Sequence, residues 1–181
     1  MLREPLSRKI RGVGKDLVTG MRQFWLLKSE PSVFSIDDLE HAPKRTTCWE
    51  GVRNYQARNY LQAMAVGDQG FFYHSNADPP AIVGVVEIVR EAYADPYAFD
   101  SRSRYFDTRS HPDNPRWVMV DVRFVRKLSR PLTLESLRGI KGLEKLELVR
   151  KGSRLSVQPV REQEWKLLFQ LAKQKLTRGR S

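Results

Sequence analysis

Two neighbouring strand-like segments constrain the fold of this chain more than any other feature. Residues 70–75 and 81–89 are rich in aromatic and β-branched side chains, and the turn-forming run Asn-Ala-Asp-Pro-Pro separates them. A third segment, residues 117–125, places alternate apolar side chains on one face, namely Val118, Val120, Val122 and Phe124. The sequence therefore predicts that the first two strands pair and that the third is half-buried.

Short helices are predicted between the strands. Ser35 followed by Asp38 is typical of a helix N-cap, which predicts a helix over residues 36–41, and Asn54 can cap a second helix over residues 55–64. The last helix carries an apolar stripe at helical spacing, formed by Trp165, Leu168, Phe169 and Ala172.

Three further short strands complete the predicted fold. They span residues 24–27, 46–49 and 154–158, and we expect Pro159 to stop the last of them. The set predicts an α+β fold: a curled, mixed β-barrel of five or six strands with short helices between strands and a C-terminal helix.

The composition is that of a globular chain of one domain. Apolar residues make up 40% and charged residues 29% of its 181 residues, and no apolar run reaches the roughly 20 residues that a bilayer-spanning helix needs. We expect residues 1–20 to be a disordered basic extension, 21–172 the folded domain and 173–181 a basic tail. We expect a soluble protein that is cytoplasmic, or nuclear if the source is a eukaryote.

Cys48 is the only cysteine, and the three histidines are widely spaced, so no zinc-ligand pattern is present. The sequence also lacks the motifs of a serine-hydrolase elbow, a metalloprotease helix and a glycine-rich phosphate loop. We therefore predict no metal and no cofactor, and we expect a binding protein more than an enzyme.

The net charge of +11 is unevenly distributed. Residues 21–100 carry −4, whereas residues 101–130 carry +5. Clustered cations attract nucleic-acid phosphates because counterions are released on binding, although such a cluster can equally be a solvated face. The predicted phosphate contacts are Arg102, Arg104, Arg109, Arg116, Arg126 and Lys127.

Aromatic and polar side chains gather at the predicted strand ends, where they can line a pocket for a base. Some have simpler roles: we expect Trp25 and Trp165 in the core, Asn54 can be only a helix cap, and His74 can be structural. The long polar segment 94–115 is a candidate lid or contact loop. The pocket candidates are Lys28, Ser29, Trp49, Arg53, Asn54, Tyr73, His74, Ser75 and Trp117.

Five motifs, in order along nearly the whole chain, resemble those of the EVE domain family. They are Trp25-Leu-Leu-Lys-Ser-Glu-Pro31, the run from Thr47 to Arg58 that contains Trp-Glu-Gly-Val-Arg-Asn, Phe72-Tyr-His-Ser-Asn76, Asp113-Asn-Pro-Arg-Trp117 and Leu155-Ser-Val-Gln-Pro159. The resemblance implies a PUA-like β-barrel, related to YTH and ASCH domains, whose pocket takes a modified cytosine or adenine.

The same resemblance implies roles for individual residues. Ser29 and Asn54 would read the polar edge of the base, Trp49 and Tyr73 would stack on it, and His74 and Trp117 would complete the lining. Lys28, Arg53, Ser75 and Gln158 would orient the pocket or meet phosphate.

Three functions fit these observations. The first is a module that binds DNA or RNA through a modified base. The second is an ASCH-like enzyme acting on RNA or a nucleoside, with His74 as base and Ser29 or Tyr73 as its partner. The third is RNA binding by shape alone through the basic surface. The modification, the choice of nucleic acid and the oligomeric state stay open.

Overall fold

The computed structural model describes residues 22–173, which contain six strands, four α-helices and three short 3-10 helices. The predicted extension, residues 1–20, and all but the first residue of the predicted basic tail lie outside this range. The strands are β1 (Phe24–Ser29), β2 (Thr46–Trp49), β3 (Gln69–His74), β4 (Ala81–Ala94), β5 (Val118–Thr133) and β6 (Val157–Val160). The helices are α1 (Ile36–His41), α2 (Tyr55–Ala63), α3 (Leu134–Leu137) and α4 (Glu162–Lys173).

The six strands form one mixed sheet in the order β2-β5-β4-β3-β1-β6. The predicted pairing of the first two strong strands is confirmed, since β3 and β4 are antiparallel neighbours. β1 runs parallel to β3, and the other neighbouring pairs are antiparallel. The prediction of an α+β fold with six strands and a C-terminal helix is confirmed.

The sheet curls but is not closed by hydrogen bonds, because β2 and β6 are its two edges. One apolar cluster takes side chains from all six strands, including Trp49 of β2 and Val157 of β6. Residues at both edges can meet in one cluster only if the sheet bends around it. The predicted barrel is therefore an open one, and its two edge strands face each other across a gap.

Helices cover both faces of the sheet. Ile36 and Leu39 of α1 and Ala57 and Leu61 of α2 join the cluster inside the curl. On the other face, α4 packs through Trp165, whose ring lies 4.1 Å from that of Phe71 and 4.4 Å from that of Phe24, centroid to centroid. The predicted core positions of Trp25 and Trp165 are confirmed, since they are 5% and 6% exposed.

The last strand differs from its prediction. β6 begins at Val157 and continues through Pro159, which pairs with Trp25, so the expectation that Pro159 stops the strand is wrong. A proline has no backbone N–H to donate, and it is tolerated at the edge of a sheet where no neighbour needs that donor. Residues 154–156, predicted as strand, instead lead into β6 and face the gap.

Candidate functional site: a cavity at the open edge of the sheet

A cavity of about 570 Å³ lies where the sheet fails to close. Its walls come from the end of β1, from β2 and the turn after it, and from the residues that precede β6. The long segment between β4 and β5 contributes Arg104 and Tyr105. Ser75, just after β3, also lines it, so five separate stretches of chain converge on one space.

Three aromatic side chains, those of Phe34, Trp49 and Tyr105, form part of the cavity wall. Trp49 is 7% exposed and packs edge-on against Phe72 inside the curl, with 5.4 Å between ring centroids. Tyr105 is half-buried and covers Gly51 so closely that a Cβ there would lie 2.5 Å from Tyr105 Cζ. Gly51 also has a positive φ of 77°, which favours glycine. The ring of Tyr105 therefore packs directly against the backbone of Gly51.

The polar groups of the cavity are a mixture of donors and acceptors. Ser29 Oγ donates to Phe34 O at 2.6 Å, so toward a ligand it can only accept. Lys28 supplies an amine, and burial lowers the pKa of that amine. Cys48 Sγ donates to Glu50 Oε2 at 3.3 Å, and burial raises the pKa of the thiol to about 11. The thiol is therefore not a nucleophile at neutral pH.

A buried ion pair fixes the turn after β2. The carboxylate of Asp95, which is 0% exposed, accepts from Arg53 Nη1 at 2.8 Å, from the Gly51 N–H at 3.1 Å and from the Tyr97 N–H at 3.0 Å. Arg53 Nε in turn donates to Tyr105 O at 2.8 Å. These bonds join the segment that carries Trp49 to the segment that carries Tyr105.

Trp117 anchors the far end of the long segment. Its Nε1 donates to Asp107 Oδ2 at 2.8 Å, and its ring stacks on Tyr55 with 5.0 Å between centroids. Arg116 donates to the Tyr55 hydroxyl at 2.6 Å. Residues 95–117, which we call the covering loop, are therefore held at both ends. They overlap the segment 94–115, whose role as a lid or contact loop stays a prediction.

Four of the nine predicted pocket residues line the cavity: Lys28, Ser29, Trp49 and Ser75. The other five do not, and each has a structural partner elsewhere. Arg53 and Trp117 hold the covering loop. Asn54 caps α2, where its Oδ1 accepts from the Ala57 N–H at 3.0 Å, which is the simpler of the two roles considered for it.

Tyr73 and His74 do not line the cavity either. Successive side chains of a strand point to opposite faces, so Tyr73 packs outside the curl with the cluster beneath α4, and burial raises the pKa of its hydroxyl. His74 Nε2 accepts from the Ile36 N–H at the start of α1, at 3.1 Å. With that lone pair occupied, the hypothesis that His74 acts as a base gains no support from the geometry.

Several lining residues are absent from the predicted set. Glu50 lies inside the Trp-Glu-Gly-Val-Arg-Asn motif, while Tyr105 lies in the segment predicted as a contact loop. Gln158, for which the resemblance implied an orienting role or a phosphate contact, is buried, and its Nε2 donates to Ser153 Oγ at 3.1 Å and to Leu155 O at 2.9 Å. These bonds hold the segment that brings Arg154 to the cavity.

The predicted phosphate contacts separate into two groups. Arg102, Arg104, Arg109 and Arg116 belong to the covering loop, and the first two also line a second cavity of about 290 Å³ that adjoins the first. Arg126 and Lys127 lie on β5 instead. Arg126 lies over the ring of Phe169 on α4, and Lys127 pairs with Glu40 of α1 at 2.6 Å. The basic cluster in the sequence is therefore not one surface.

Within residues 22–173 no group of acidic, histidine and cysteine side chains has the arrangement of a metal site. No helix in that range is long and apolar enough to cross a membrane.

The fold and the cavity define a small α+β domain with a ligand-sized space at the open edge of a curled sheet. A family model described as the EVE domain matches residues 23–171. The chain therefore belongs to the EVE domain family, and the resemblance noted in the sequence is confirmed. Thymocyte nuclear protein 1 from Homo sapiens is 41% identical over 173 residues, which cover 87% of this chain and 77% of that protein.

Solved structures share the fold. A protein from Pseudomonas putida is 47% identical with a TM-score of 0.79, and the match covers 82% of this chain and 99% of that one. The human THYN1 protein, solved in complex with 5-methylcytosine containing DNA, is 43% identical with a TM-score of 0.79 over 84% of this chain and 99% of that one.

We predict that Asp95→Asn destabilises the domain and loosens the covering loop. The substitution keeps the shape of the side chain but leaves the Arg53 guanidinium without its counter-charge. Loss of one partner of a buried pair costs roughly 3–5 kcal/mol, and we expect about 2–4 kcal/mol here because Arg53 is partly exposed. Urea unfolding measures the loss, and limited proteolysis between residues 95 and 117 measures the loosening. Asp113→Asn, at an exposed position, is the matched control and should change neither the stability to urea nor the rate of proteolysis.

We also predict a pH dependence of stability from His74. Burial lowers the pKa of His74 below the usual 6.5, so its contribution is fully present above pH 6.5 and declines as the pH falls toward the lower folded-state value. In His74→Gln, the drop in urea midpoint between pH 7 and pH 5 should be smaller than in the wild type. His41→Gln, at an exposed position, should retain the wild-type drop; equal drops in all three proteins would show that His74 makes no such contribution.

Proposed function

We propose that this chain binds DNA containing a modified base and that the base enters the cavity at the open edge of the sheet. The relationship to the human THYN1 protein, solved with 5-methylcytosine containing DNA, supports the DNA ligand. The cavity itself carries the proposal, because it combines aromatic surface with separate hydrogen-bond donors and acceptors in about 570 Å³. Cavities of this size and mixed lining are typical of small-ligand sites.

The energetics of base capture suit a cavity with aromatic walls. A base that leaves the duplex loses a few kcal/mol of stacking and pairing, and stacking on an aromatic side chain returns about 1–3 kcal/mol. Trp49 is almost wholly buried and forms the inner wall, whereas Tyr105 is only half-buried. Tyr105 is the main stacking surface once the Arg104 guanidinium, which lies 4.7 Å from the centre of its ring, moves aside. The remaining free energy comes from the base edge and from phosphate contacts.

The polar lining can satisfy a base edge that has both donors and acceptors. Lys28 and Arg104 supply N–H groups, whereas Ser29 can only accept. Cytosine and adenine derivatives present both kinds of group on their pairing edges, and we propose a modified base of either kind as the ligand.

The arginines of the covering loop are the proposed phosphate contacts. Arg102 and Arg109 have side chains that are 90% and 70% exposed, and their ion pairs with Asp100 and Asp107 lie within the same loop. Exposed pairs of this kind contribute little to stability, so these guanidinium groups can exchange their carboxylates for phosphates. Phosphate contacts do not by themselves separate DNA from RNA, so RNA stays a second possible ligand of the same surface.

We predict that Tyr105→Ala lowers the affinity for an oligonucleotide carrying one 5-methylcytosine by about tenfold or more, because a stacking surface is removed. Fluorescence anisotropy with matched modified and unmodified strands measures the effect. Tyr97→Ala removes an exposed ring from the same loop outside this cavity, so it should keep the wild-type preference for the modified strand.

Two outcomes would count against the proposal. If the wild-type protein binds modified and unmodified strands with equal affinity, the cavity does not read the modification. If Tyr105→Ala keeps the full preference, Tyr105 is not the stacking surface.

A further inference from the structure

Glu50 is a half-buried carboxylate that lines both cavities and whose hydrogen-bonding capacity is only partly used. It follows Trp49 at the end of β2. Its Oε2 accepts from Cys48 Sγ at 3.3 Å. No residue between 22 and 173 donates a hydrogen bond to its Oε1, and none forms an ion pair with its carboxylate.

Cys48 determines which part of the carboxylate faces a ligand. Burial, reinforced by the negative charge of Glu50, raises the pKa of Cys48 to about 11, so the thiol keeps its proton at neutral pH. The S–H group therefore remains a donor to Oε2. The second oxygen, Oε1, is left to accept a hydrogen bond from a ligand.

The apolar walls cannot distinguish 5-methylcytosine from thymine, because both bases carry a methyl group at C5. The two bases differ at position 4, where cytosine has an amine that donates and thymine has a carbonyl oxygen that accepts. A glutamate carboxylate can only accept hydrogen bonds. The same holds for Ser29 Oγ, because its proton is already donated to Phe34 O. A thymine O4 beside Glu50 would bring two acceptors together with no proton between them.

We infer that Glu50 determines the base specificity of the cavity: its carboxylate accepts a hydrogen bond from the exocyclic amine of a cytosine- or adenine-type base and disfavours thymine and uracil, whose oxygen at position 4 cannot donate one. The inference rests on the proposed function, since it assigns the selecting group of the same cavity. A carboxylate that accepts from the cytosine amine is an established mode of base readout. A bidentate base contact discriminates by about five- to 150-fold, so we expect a single hydrogen bond to fall toward the lower end of that range.

The test uses the full chain and single-stranded oligonucleotides that differ only in one central base. Single strands remove the cost of opening a base pair, which differs between bases. We expect the wild type to bind the 5-methylcytosine strand at least about fivefold more tightly than the thymine strand. In Glu50→Gln the amide can also donate, so we expect the two affinities to converge. Glu91→Gln makes the same change at an exposed position outside both cavities and should keep the wild-type ratio.

A second measurement uses only the wild-type protein, so it holds even if Glu50→Gln does not fold. A strand carrying 5-methylpyrimidin-2-one lacks the amine and adds no atom to the base. We expect it to bind as weakly as the thymine strand. Binding as tight as that of 5-methylcytosine would overturn the inference.

The outcomes separate this inference from the proposed function. If the wild type prefers 5-methylcytosine and Glu50→Gln keeps the same ratio, another group selects the base and only the inference fails. If the wild type binds every strand equally, the cavity does not read bases and both fail.

Discussion

The carboxylate of Asp95 is the group on which the geometry of the cavity depends. It is fully buried, and it accepts hydrogen bonds from the guanidinium of Arg53, the backbone of Gly51 and the backbone of Tyr97. A charge so far from water is tolerated only when it is paired and its lone pairs are satisfied. Here the partners come from both sides of the cavity, so the arrangement that satisfies Asp95 also fixes the turn after β2 against the covering loop.

The same constraint explains why the open edge of the sheet does not collapse. β2 and β6 do not pair, and apolar side chains from both edges fill the interior of the curl beneath the gap. Above them the gap is spanned by Tyr105, which rests on Gly51 and is held through Arg53. The gap thus has a packed floor and a fixed cover, and the space between them stays open with polar groups along its sides.

The strands, the helices and the core tryptophans could be predicted because each depends on local patterns. Trp25 lies in an apolar run, Trp165 lies on a helical stripe, and Ser35 and Asn54 precede helices, so each has a signal within a few residues. The prediction that Pro159 stops the last strand is wrong because a strand tolerates a proline at the edge of a sheet. Whether a strand lies at an edge is a property of the whole topology.

The site was less predictable because nearness in sequence is a poor guide to which face a side chain occupies. Tyr73 and His74 follow Phe72 in one motif, yet strand alternation turns Tyr73 out of the curl and α1 engages His74. Tyr105 and Arg154 reach the cavity only through the covering loop and the approach to β6, and no local pattern marks such convergence. Family resemblance located the motifs but not the direction of each side chain.

The distribution of the cavity walls along the chain links ligand binding to the folding of the whole domain. The walls come from residues as far apart as Lys28 and Ser156, so the complete binding surface exists only when the first and last strands lie side by side. A ligand that binds this surface and not the unfolded chain adds a free energy that grows with the logarithm of its concentration above Kd. Occupancy of the cavity would therefore raise the unfolding temperature of the entire domain, from β1 through α4.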